Sequence, residues 1–363
     1  MTFARSTQKL RYEEKTRFHS LTALRGLAAI WAIAYHALNG HLQSYPPPLV
    51  NLVSHGHLAV DLFFVLSGFV MAFCYGDWFS PQDHVIERYA TFLVRRVARV
   101  YPLYLLALMV VFTCSLAVTP TIGSSRTALT VFLNLFMVQT WFFVPSLNAP
   151  SWSVSAECFA YILFPALAVG ILYSNRWVAT TIAGACFAAL CWVMFRFPAA
   201  HSMPLLRCLA EFSFGLVAYR FYQYRRVHRL LQAIVLFAFG LMLLLPQTEI
   251  GILLMFAPIV LVAACPDGIC SRILSSEGVV RLGDLSYALY LLHTPIFSLR
   301  PYLVGLFTPI TGSSTSTTVA LLLCALLLSC SWLAMTCVEG PARMWIRKKD
   351  HFFRRNVFVL APR

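Results

Sequence analysis

The sequence predicts an all-α protein, a polytopic membrane helical bundle of about ten transmembrane helices. Of its 363 residues, 59% are hydrophobic and only 12% are charged, and the mean hydropathy is +0.73. Soluble domains carry about 25% charged residues, so this composition excludes an ordinary globular domain and a disordered chain. Apolar runs of about twenty residues recur along the chain, each long enough to cross ~30 Å of hydrocarbon. Helices are favoured because lipid cannot satisfy backbone N–H and C=O groups.

The apolar runs define the predicted spans. We place them at residues 20–40, 56–75, 100–118, 152–173, 177–195, 205–222, 230–246, 249–265, 284–306 and 317–338. The segment 127–143 is apolar but short, and Asn134 and Gln139 interrupt it. We therefore predict a re-entrant or interfacial segment near 127–150.

The distribution of basic residues predicts the orientation. With both termini cytoplasmic and 127–150 outside, the cytoplasmic side holds all but four of the 28 lysines and arginines. If 127–143 were a full span, the basic cluster at 220–229 would face outward, so the positive-inside rule favours ten spans. The exceptions are Arg126, Arg196, Arg207 and Arg300.

This topology divides the chain into a basic cytoplasmic segment 1–19, a transmembrane domain 20–340 and a basic cytoplasmic tail 341–363. The net charge of +14 is explained by this asymmetry, so the expected partner is the lipid bilayer and not nucleic acid. We expect a multi-pass protein of a plasma (inner) membrane. The eleven cysteines are scattered through apolar segments without a C-x-x-C pair, so we expect neither disulfides nor a metal site.

The first predicted helix carries two ionisable residues, Arg25 and His36. They are eleven residues apart, which places them on one helical stripe about 16 Å from each other. Arg25 lies at the cytoplasmic end, where it suits an anionic ligand. His36 lies in the outer half, and histidine exchanges protons near neutral pH. An anchoring arginine and a histidine bonded to a neighbouring helix explain the same spacing.

The second and third helices add further candidates. We expect Asp61 to orient a histidine or to cap local structure, Ser67 to be structural, and Gly68 to permit close helix approach. Arg96 and Arg99 project from one helical face, and guanidinium groups match phosphate oxygens. Retention of basic residues at the cytoplasmic face explains the two arginines equally well.

The later helices carry a carboxylate and a histidine at membrane depth. Glu157 lies little more than one turn beyond Trp152, at the predicted depth of His36, and a carboxylate beside a histidine holds its tautomer. Glu211 can pair with Arg207 four residues earlier. His293 follows Tyr287 and either bonds across helices or lines a site.

Five stretches, in this order, resemble the acyltransferase 3 family of membrane O-acyltransferases, and they cover nearly the whole chain. The second stretch departs from the family pattern at Ala59, where a glycine is common, and the chain ends in a short basic tail where some relatives carry an esterase-like domain. The stretches are LRGLAAIWAIAYH with Arg25 and His36, HGHLAVDLFFVLSGFVM, RRVARVYPLY with Arg96 and Arg99, PSWSVSAECFAY with Ser151, Trp152, Ser153 and Glu157, and LSYALYLLHTP with His293.

The resemblance implies transfer of an acyl group, usually acetyl, from acyl-CoA to a hydroxyl of a carbohydrate or small-molecule acceptor. Arg96, Arg99 and Arg25 would bind the phosphates of the acyl donor from the cytoplasm. His36 would act as general base with Glu157 orienting it, and an acyl-His36 relay is the alternative mechanism. Membrane helices with buried Arg, His and Glu are also typical of a proton-coupled transporter, although we find no internal repeat.

Overall fold

A computed structural model describes most of the chain, and every regular element in the described residues is a helix. Residues 1–18 and most of the predicted cytoplasmic tail lie outside the described ranges. The structure describes residues 19–38, 45–80, 85–118, 128–196, 203–224, 227–266, 268–311, 315–342 and 344–345.

The described residues form fourteen α-helices, α1 to α14 in chain order. Four of them continue directly into 3₁₀ or π-helical turns, at His55–Leu58, Gly76–Phe79, Val169–Tyr173 and Met335–Glu339. The helices are α1 His19–Leu38, α2 Pro47–Ser54, α3 Ala59–Tyr75, α4 Val85–Val118, α5 Ala128–Leu135, α6 Ser151–Ala168, α7 Arg176–Arg196, α8 Pro204–Tyr224, α9 Arg229–Leu244, α10 Glu249–Ala263, α11 Ile269–Leu274, α12 Glu277–Phe297, α13 Arg300–Thr311 and α14 Thr315–Ala334.

Six described helical segments are long and apolar enough to cross a membrane. Two further predicted spans, α9 and α10, are apolar but have only 16 and 15 residues. The other two, α8 and α12, have 21 residues each but include charged side chains. The membrane class of the fold is therefore confirmed, whereas the count of ten spans stays a prediction. The six segments are His19–Leu38, Pro47–Phe79, Ile86–Thr113, Ser151–Tyr173, Arg176–Arg196 and Thr318–Ala342.

Two predicted boundaries were wrong. Helix α4 begins at Val85 and not near residue 100, because the arginines before residue 100 lower the hydropathy but are good helix formers. The predicted span 284–306 is two helices, α12 and α13, separated at residues 298–299. Pro301 stands in the first turn of α13, where its missing N–H is tolerated.

The segment 127–143 does not form a spanning helix. Its α5 has eight residues, about 12 Å, and the left-handed residues Met137 and Phe143 turn the chain on either side of a 3₁₀ turn. The amide of Asn134 holds this turn, because it donates to the Pro145 carbonyl at 3.1 Å and accepts from the Leu147 N–H at 2.9 Å. The polar residues that interrupt the apolar run are thus the ones that organise the loop.

The described helices form two compact units, and two of the boundaries between them fall within α6 and α12. The first comprises residues up to 80 together with 166–286. Here α3 and α8 cross at Gly68 and Gly215, so closely that a Cβ on Gly68 would lie 2.8 Å from the Phe212 carbonyl carbon. The predicted close approach at Gly68 is therefore confirmed. Arg220 donates to the carbonyls of Ile171 and Ser174, at the end of the π-helical turn that follows α6.

The second unit comprises residues 85–165 and those from 287 onward. Helices α4 and α6 pack through aromatic side chains, with Phe92 stacked on Phe164 at 5.1 Å between ring centroids. The Tyr89 hydroxyl donates to the Ile162 carbonyl at 3.0 Å. This packing fixes the relation between the helix that carries Arg96 and the helix that carries Glu157.

Candidate functional site

Arg25 and His36 lie on one unbroken helix, because α1 continues from His19 to Leu38. The predicted common stripe therefore holds over the whole interval. Arg25 is half-buried, whereas His36 is exposed in the last turn of the helix. The ring of the neighbouring Tyr35 contacts that of His36 edge to face at 5.1 Å.

Asp61 belongs to a buried ionic cluster in the first unit. The Nε and Nη2 atoms of Arg207 donate to the two oxygens of Asp61, and the Nη2 contact is 2.5 Å. Glu211 lies one turn further along α8, with Oε1 3.6 Å from Arg207 Nε. All three side chains are at least 96% buried. Asp61 therefore neither caps α3 nor orients a histidine through a described hydrogen bond, but forms a bidentate pair with an arginine from another helix.

The structure thus assigns Arg207 a different main partner from the predicted one. The local pair with Glu211 exists, but its distance is longer than a hydrogen bond. Neither carboxyl oxygen of Glu211 makes a hydrogen bond within the described part of the chain. Ser67, half-buried midway along α3, lies six residues beyond Asp61.

Glu157 projects from the second turn of α6 in the second unit and is half-buried. The hydroxyl of Tyr161, one turn later on the same helix, donates to Glu157 Oε1 at 2.6 Å. This bond fixes the orientation of the carboxylate. Trp152 is half-buried at the start of α6, and its carbonyl accepts a hydrogen bond from Thr140 at 3.1 Å.

Ser153 joins α6 to α12 within the second unit. Its hydroxyl donates to the Pro150 carbonyl at 3.0 Å and lies 3.0 Å from the hydroxyl of Tyr290. The Tyr290 hydroxyl also donates to the Pro150 carbonyl, at 3.1 Å. Tyr287, one turn earlier, donates to the Val100 carbonyl of α4 at 2.8 Å. These hydroxyl groups attach α12 to α6, which carries Glu157, and to α4, which carries Arg96 and Arg99.

His293 is fully buried and engaged at both ring nitrogens. Its Nδ1 lies 2.7 Å from the Tyr290 carbonyl oxygen and must donate to it, since a carbonyl can only accept. Its Nε2 then accepts from the Thr294 hydroxyl at 3.2 Å. The geometry favours bonding within the helix over direct participation in proton transfer.

Arg96 and Arg99 lie three residues apart on α4, as the sequence predicts. Arg96 is 8% exposed, whereas Arg99 is half-buried. A nearly buried guanidinium is retained only with compensating charge or hydrogen bonds. The binding of phosphate by Arg96 and Arg99 stays a prediction.

A comparison with known protein families decides which kind of helical bundle this is. The acyltransferase 3 family model, described as an acyltransferase domain, matches residues 18–336. The chain belongs to the acyltransferase 3 family. The resemblance predicted from the five stretches is thereby confirmed, and the protein is an acyltransferase with membrane-spanning helices.

Individual members of the family align over different lengths. Acyltransferase MdmB of Streptomyces mycarofaciens is 29% identical, over 90% of this chain and 91% of its own. The exopolysaccharide production protein ExoZ of Rhizobium meliloti is 29% identical over 66% of this chain and 76% of its own. The peptidoglycan O-acetyltransferase OatA of Listeria monocytogenes is 28% identical over 44% of this chain, which is 25% of OatA. No solved structure matches the chain.

The family's candidate residues are distributed over both compact units. Arg25, His36, Asp61 and Ser67 lie in the first unit, and the remaining candidates lie in the second. The predicted pairing of His36 with Glu157 stays a prediction. Sequence reasoning missed the Asp61 pair with Arg207, for which no local signal exists. It also missed the Tyr161 bond to Glu157, which the spacing of four residues does suggest.

Proposed function

We propose that the protein transfers an acyl group, usually acetyl, from acyl-CoA to a hydroxyl of a carbohydrate-type acceptor at the plasma (inner) membrane. The observation that carries this proposal is the family match across residues 18–336. Two aligned relatives are named for peptidoglycan and exopolysaccharide, which are both carbohydrate polymers. A small-molecule acceptor is the alternative within the same chemistry.

We propose further that α8, α9, α10 and α12 cross the membrane as well, which gives ten spans with both termini cytoplasmic. The charge of Arg207 in α8 does not oppose crossing, because it is neutralised by Asp61 inside the first unit. Modest mismatch between a short helix and the bilayer is tolerated through tilt and local thinning. In this topology the segment 127–150 is re-entrant or interfacial.

We assign Arg25, Arg96 and Arg99 to binding of the acyl donor, acyl-CoA. The diphosphate and the ribose phosphate of coenzyme A require several cationic groups, and arginine binds phosphate with a planar fork of donors. Arg96 and Arg99 offer two such groups on one helix, and Arg25 lies at the predicted cytoplasmic end of α1. Charge-assisted hydrogen bonds contribute about 1.5–3 kcal/mol each.

The chemistry is assigned to His36. A thioester is already activated, so the remaining requirements are deprotonation of the acceptor hydroxyl and stabilisation of an oxyanion. His36 either takes the hydroxyl proton as general base or carries the acyl group as an acyl-imidazole. Glu157, which Tyr161 holds in one orientation, supports the histidine or the acceptor.

The experiment measures acyl transfer from labelled acetyl-CoA by the purified protein in detergent, with thiol release as a second readout. Arg96→Ala and Arg99→Ala are each expected to raise the KM for acetyl-CoA about 10- to 100-fold, since 1.4 kcal/mol corresponds to a factor of ten. Arg281→Ala is the matched control, because it removes the same charge from a side chain that is 73% exposed. Unchanged donor KM in both test variants would refute the donor site.

A proton-coupled transporter is the second candidate, and one observation favours it. The buried cluster of Asp61, Arg207 and Glu211 is the kind of intramembrane charge network that proton relays use. Mass spectrometry of surface glycans with and without the gene discriminates the two functions. If deletion of the gene removes acetyl groups from the surface glycans, the enzyme is supported. If the acetyl content is unchanged and the protein does not bind acetyl-CoA, transport is supported.

A further inference from the structure

A second imidazole, that of His57, lies next to the His36 end of α1. The ring of His57 is 5.6 Å from the ring of Tyr35, which in turn is 5.1 Å from the ring of His36. His57 is half-buried. It comes from the HGH sequence at the start of the second family stretch and belongs to the same compact unit as His36. His57 is therefore a second histidine near the end of α1 that carries His36.

The turn that carries His57 is held firmly on α1. The indole N–H of Trp31 donates to the Leu52 carbonyl at 2.6 Å, just before the turn. Within the turn, a Cβ on Gly56 would lie 2.5 Å from the Trp31 carbonyl oxygen and 2.8 Å from Tyr35 Cβ. Only glycine permits this approach, so the backbone immediately before His57 is held against α1.

The backbone also determines which nitrogen of His57 carries the proton. Nδ1 lies 2.8 Å from the carbonyl oxygen of Ser54. A carbonyl oxygen can only accept, so Nδ1 is the donor and the neutral ring bears its lone pair on Nε2. A backbone carbonyl at one ring nitrogen is a common way of fixing the tautomer of a histidine that acts as a base.

His57 differs from two other histidines that face a backbone carbonyl in the surroundings of its second ring nitrogen, Nε2. The Nε2 of His293 accepts from Thr294 at 3.2 Å. The Nε2 of the buried His55 lies 4.0 Å from Glu249 Oε1, and its Nδ1 contacts the Leu243 carbonyl at 3.3 Å. For His57, no hydrogen bond to Nε2 occurs within the described ranges of the chain.

We propose that His57 is the base that deprotonates the acceptor hydroxyl, while His36 carries the acyl group. The inference rests on the proposed function and selects between its two routes. An imidazole nitrogen that is acylated cannot also accept a proton, so a relay through His36 requires a separate base for its second step. The tautomer and position of His57 supply that base.

The proposed relay has two steps. In the first, a nitrogen lone pair of His36 attacks the thioester carbonyl, a C–N bond forms, the C–S bond breaks, and the ring N–H proton leaves with the coenzyme A thiolate as free thiol. In the second, the acceptor oxygen attacks the acyl-imidazole, its proton passes to His57 Nε2, the C–O bond forms and the C–N bond breaks. The proton then returns from His57 to His36, and both histidines are neutral again.

The experiment separates the two steps by pulse and chase. Membranes of the native host with its own gene deleted, expressing each variant, receive a pulse of acetyl-labelled acetyl-CoA and then an excess of unlabelled acetyl-CoA. Label on the protein reports the first step, and its later loss to the non-protein fraction reports the second. In His57→Gln, acyl-enzyme is expected to form at the wild-type rate and to lose its label at least 100-fold more slowly, because general bases contribute about 10²–10⁴-fold.

Two further variants separate proton transfer from packing. His57→Phe keeps an aromatic ring against Tyr35 but lacks Nε2, so it is expected to discharge as slowly as His57→Gln. His228→Asn is the matched control, because His228 is an exposed N-cap of α9 and asparagine preserves a cap. It is expected to behave as wild type in both steps. Thermal unfolding of each purified variant shows whether the fold is retained.

Several outcomes overturn the proposal. Wild-type discharge in His57→Phe would show that the ring only packs against Tyr35. Transfer of label by the wild type without any acyl-enzyme would refute the relay, and with it the assignment of His57, while leaving the acyltransferase function intact. Failure of the wild type to bind or transfer the acetyl group at all would instead refute the proposed function.

Discussion

The buried cluster in the first unit makes a specific prediction about two carboxyl groups that differ only in position. Asp61 receives two hydrogen bonds from Arg207, whereas Glu211 lies 3.6 Å from the same guanidinium. The cluster thus holds two carboxyl groups for one cation. We expect Asp61→Asn to be strongly destabilising and Glu211→Gln to be nearly neutral, although both replace a buried carboxyl group with an amide of the same shape.

The magnitude follows from burial and geometry. The side chains of Arg207 and Asp61 are 4% and 1% exposed. Removing the Asp61 charge leaves buried Arg207 with only Glu211, 3.6 Å away and not hydrogen-bonded to it, which costs about 3–5 kcal/mol. For a folding unit of roughly 150–250 residues, each 1 kcal/mol shifts Tm by about 2–4 °C. Asp61→Asn should therefore lower Tm by about 6–20 °C. Glu211→Gln keeps the pair and should change Tm by no more than about 2 °C.

The assay is thermal unfolding of the purified protein in detergent, followed by tryptophan fluorescence, with size-exclusion chromatography to exclude aggregation. The double variant Asp61→Asn/Glu211→Gln should be less stable than Asp61→Asn alone, because Glu211 is the remaining counter-charge near Arg207. If Glu211→Gln destabilises as much as Asp61→Asn, or if Asp61→Asn leaves Tm unchanged, the assignment of the ion pair is refuted.

Two further predictions concern helix packing and catalysis. Gly68→Ala would place a Cβ 2.8 Å from the Phe212 carbonyl carbon. Because this neighbour is backbone, it cannot rotate away as a side chain could, and the variant should lose about 1–3 kcal/mol of stability. Gly184→Ala is the control, because a Cβ there would meet no atom within 4 Å beyond the adjacent residues and backbone of its own helix, and it should retain or slightly raise Tm in the same assay. Equal Tm shifts in the two variants would contradict the close crossing of α3 and α8 at Gly68. Tyr161→Phe removes a 2.6 Å bond to Glu157 and should lower kcat about 10- to 100-fold at unchanged donor KM. A full kcat in this variant would show that the bond does not support the chemistry.

Local sequence patterns were sufficient for much of the fold. Hydropathy over about twenty residues marked the apolar helices, and helical periodicity placed Arg25 and His36 on one stripe. Asn134 and Gln139 marked the apolar run that does not form one long helix. These features depend on contacts within a few residues or on burial in lipid, which composition reports directly.

Boundaries were less predictable where two local rules conflict. Arginines lower the hydropathy of the segment before residue 100 without breaking its helix, so the start of α4 was misplaced by fifteen residues. Pro295 lies inside α12, but the chain breaks only at residues 298–299, before Pro301. Hydropathy reports which residues can lie in lipid, whereas helix propensity reports which residues can be helical. A helix boundary depends on both.

The sequence by itself determined the class of protein, the family and the identity of most candidate residues. Only the tertiary structure decided their partners. Asp61 pairs with a residue 146 positions away, and no periodicity distinguishes Arg207 from the other arginines. The lone pair of His57 is on Nε2 because the Ser54 carbonyl, three residues earlier, holds Nδ1. The ring of His57 packs against Tyr35, the neighbour of His36, because the glycine at position 56 lets the turn approach α1. Spacing along the chain fixes neighbours within a turn, whereas partners across helices depend on which backbones can approach each other.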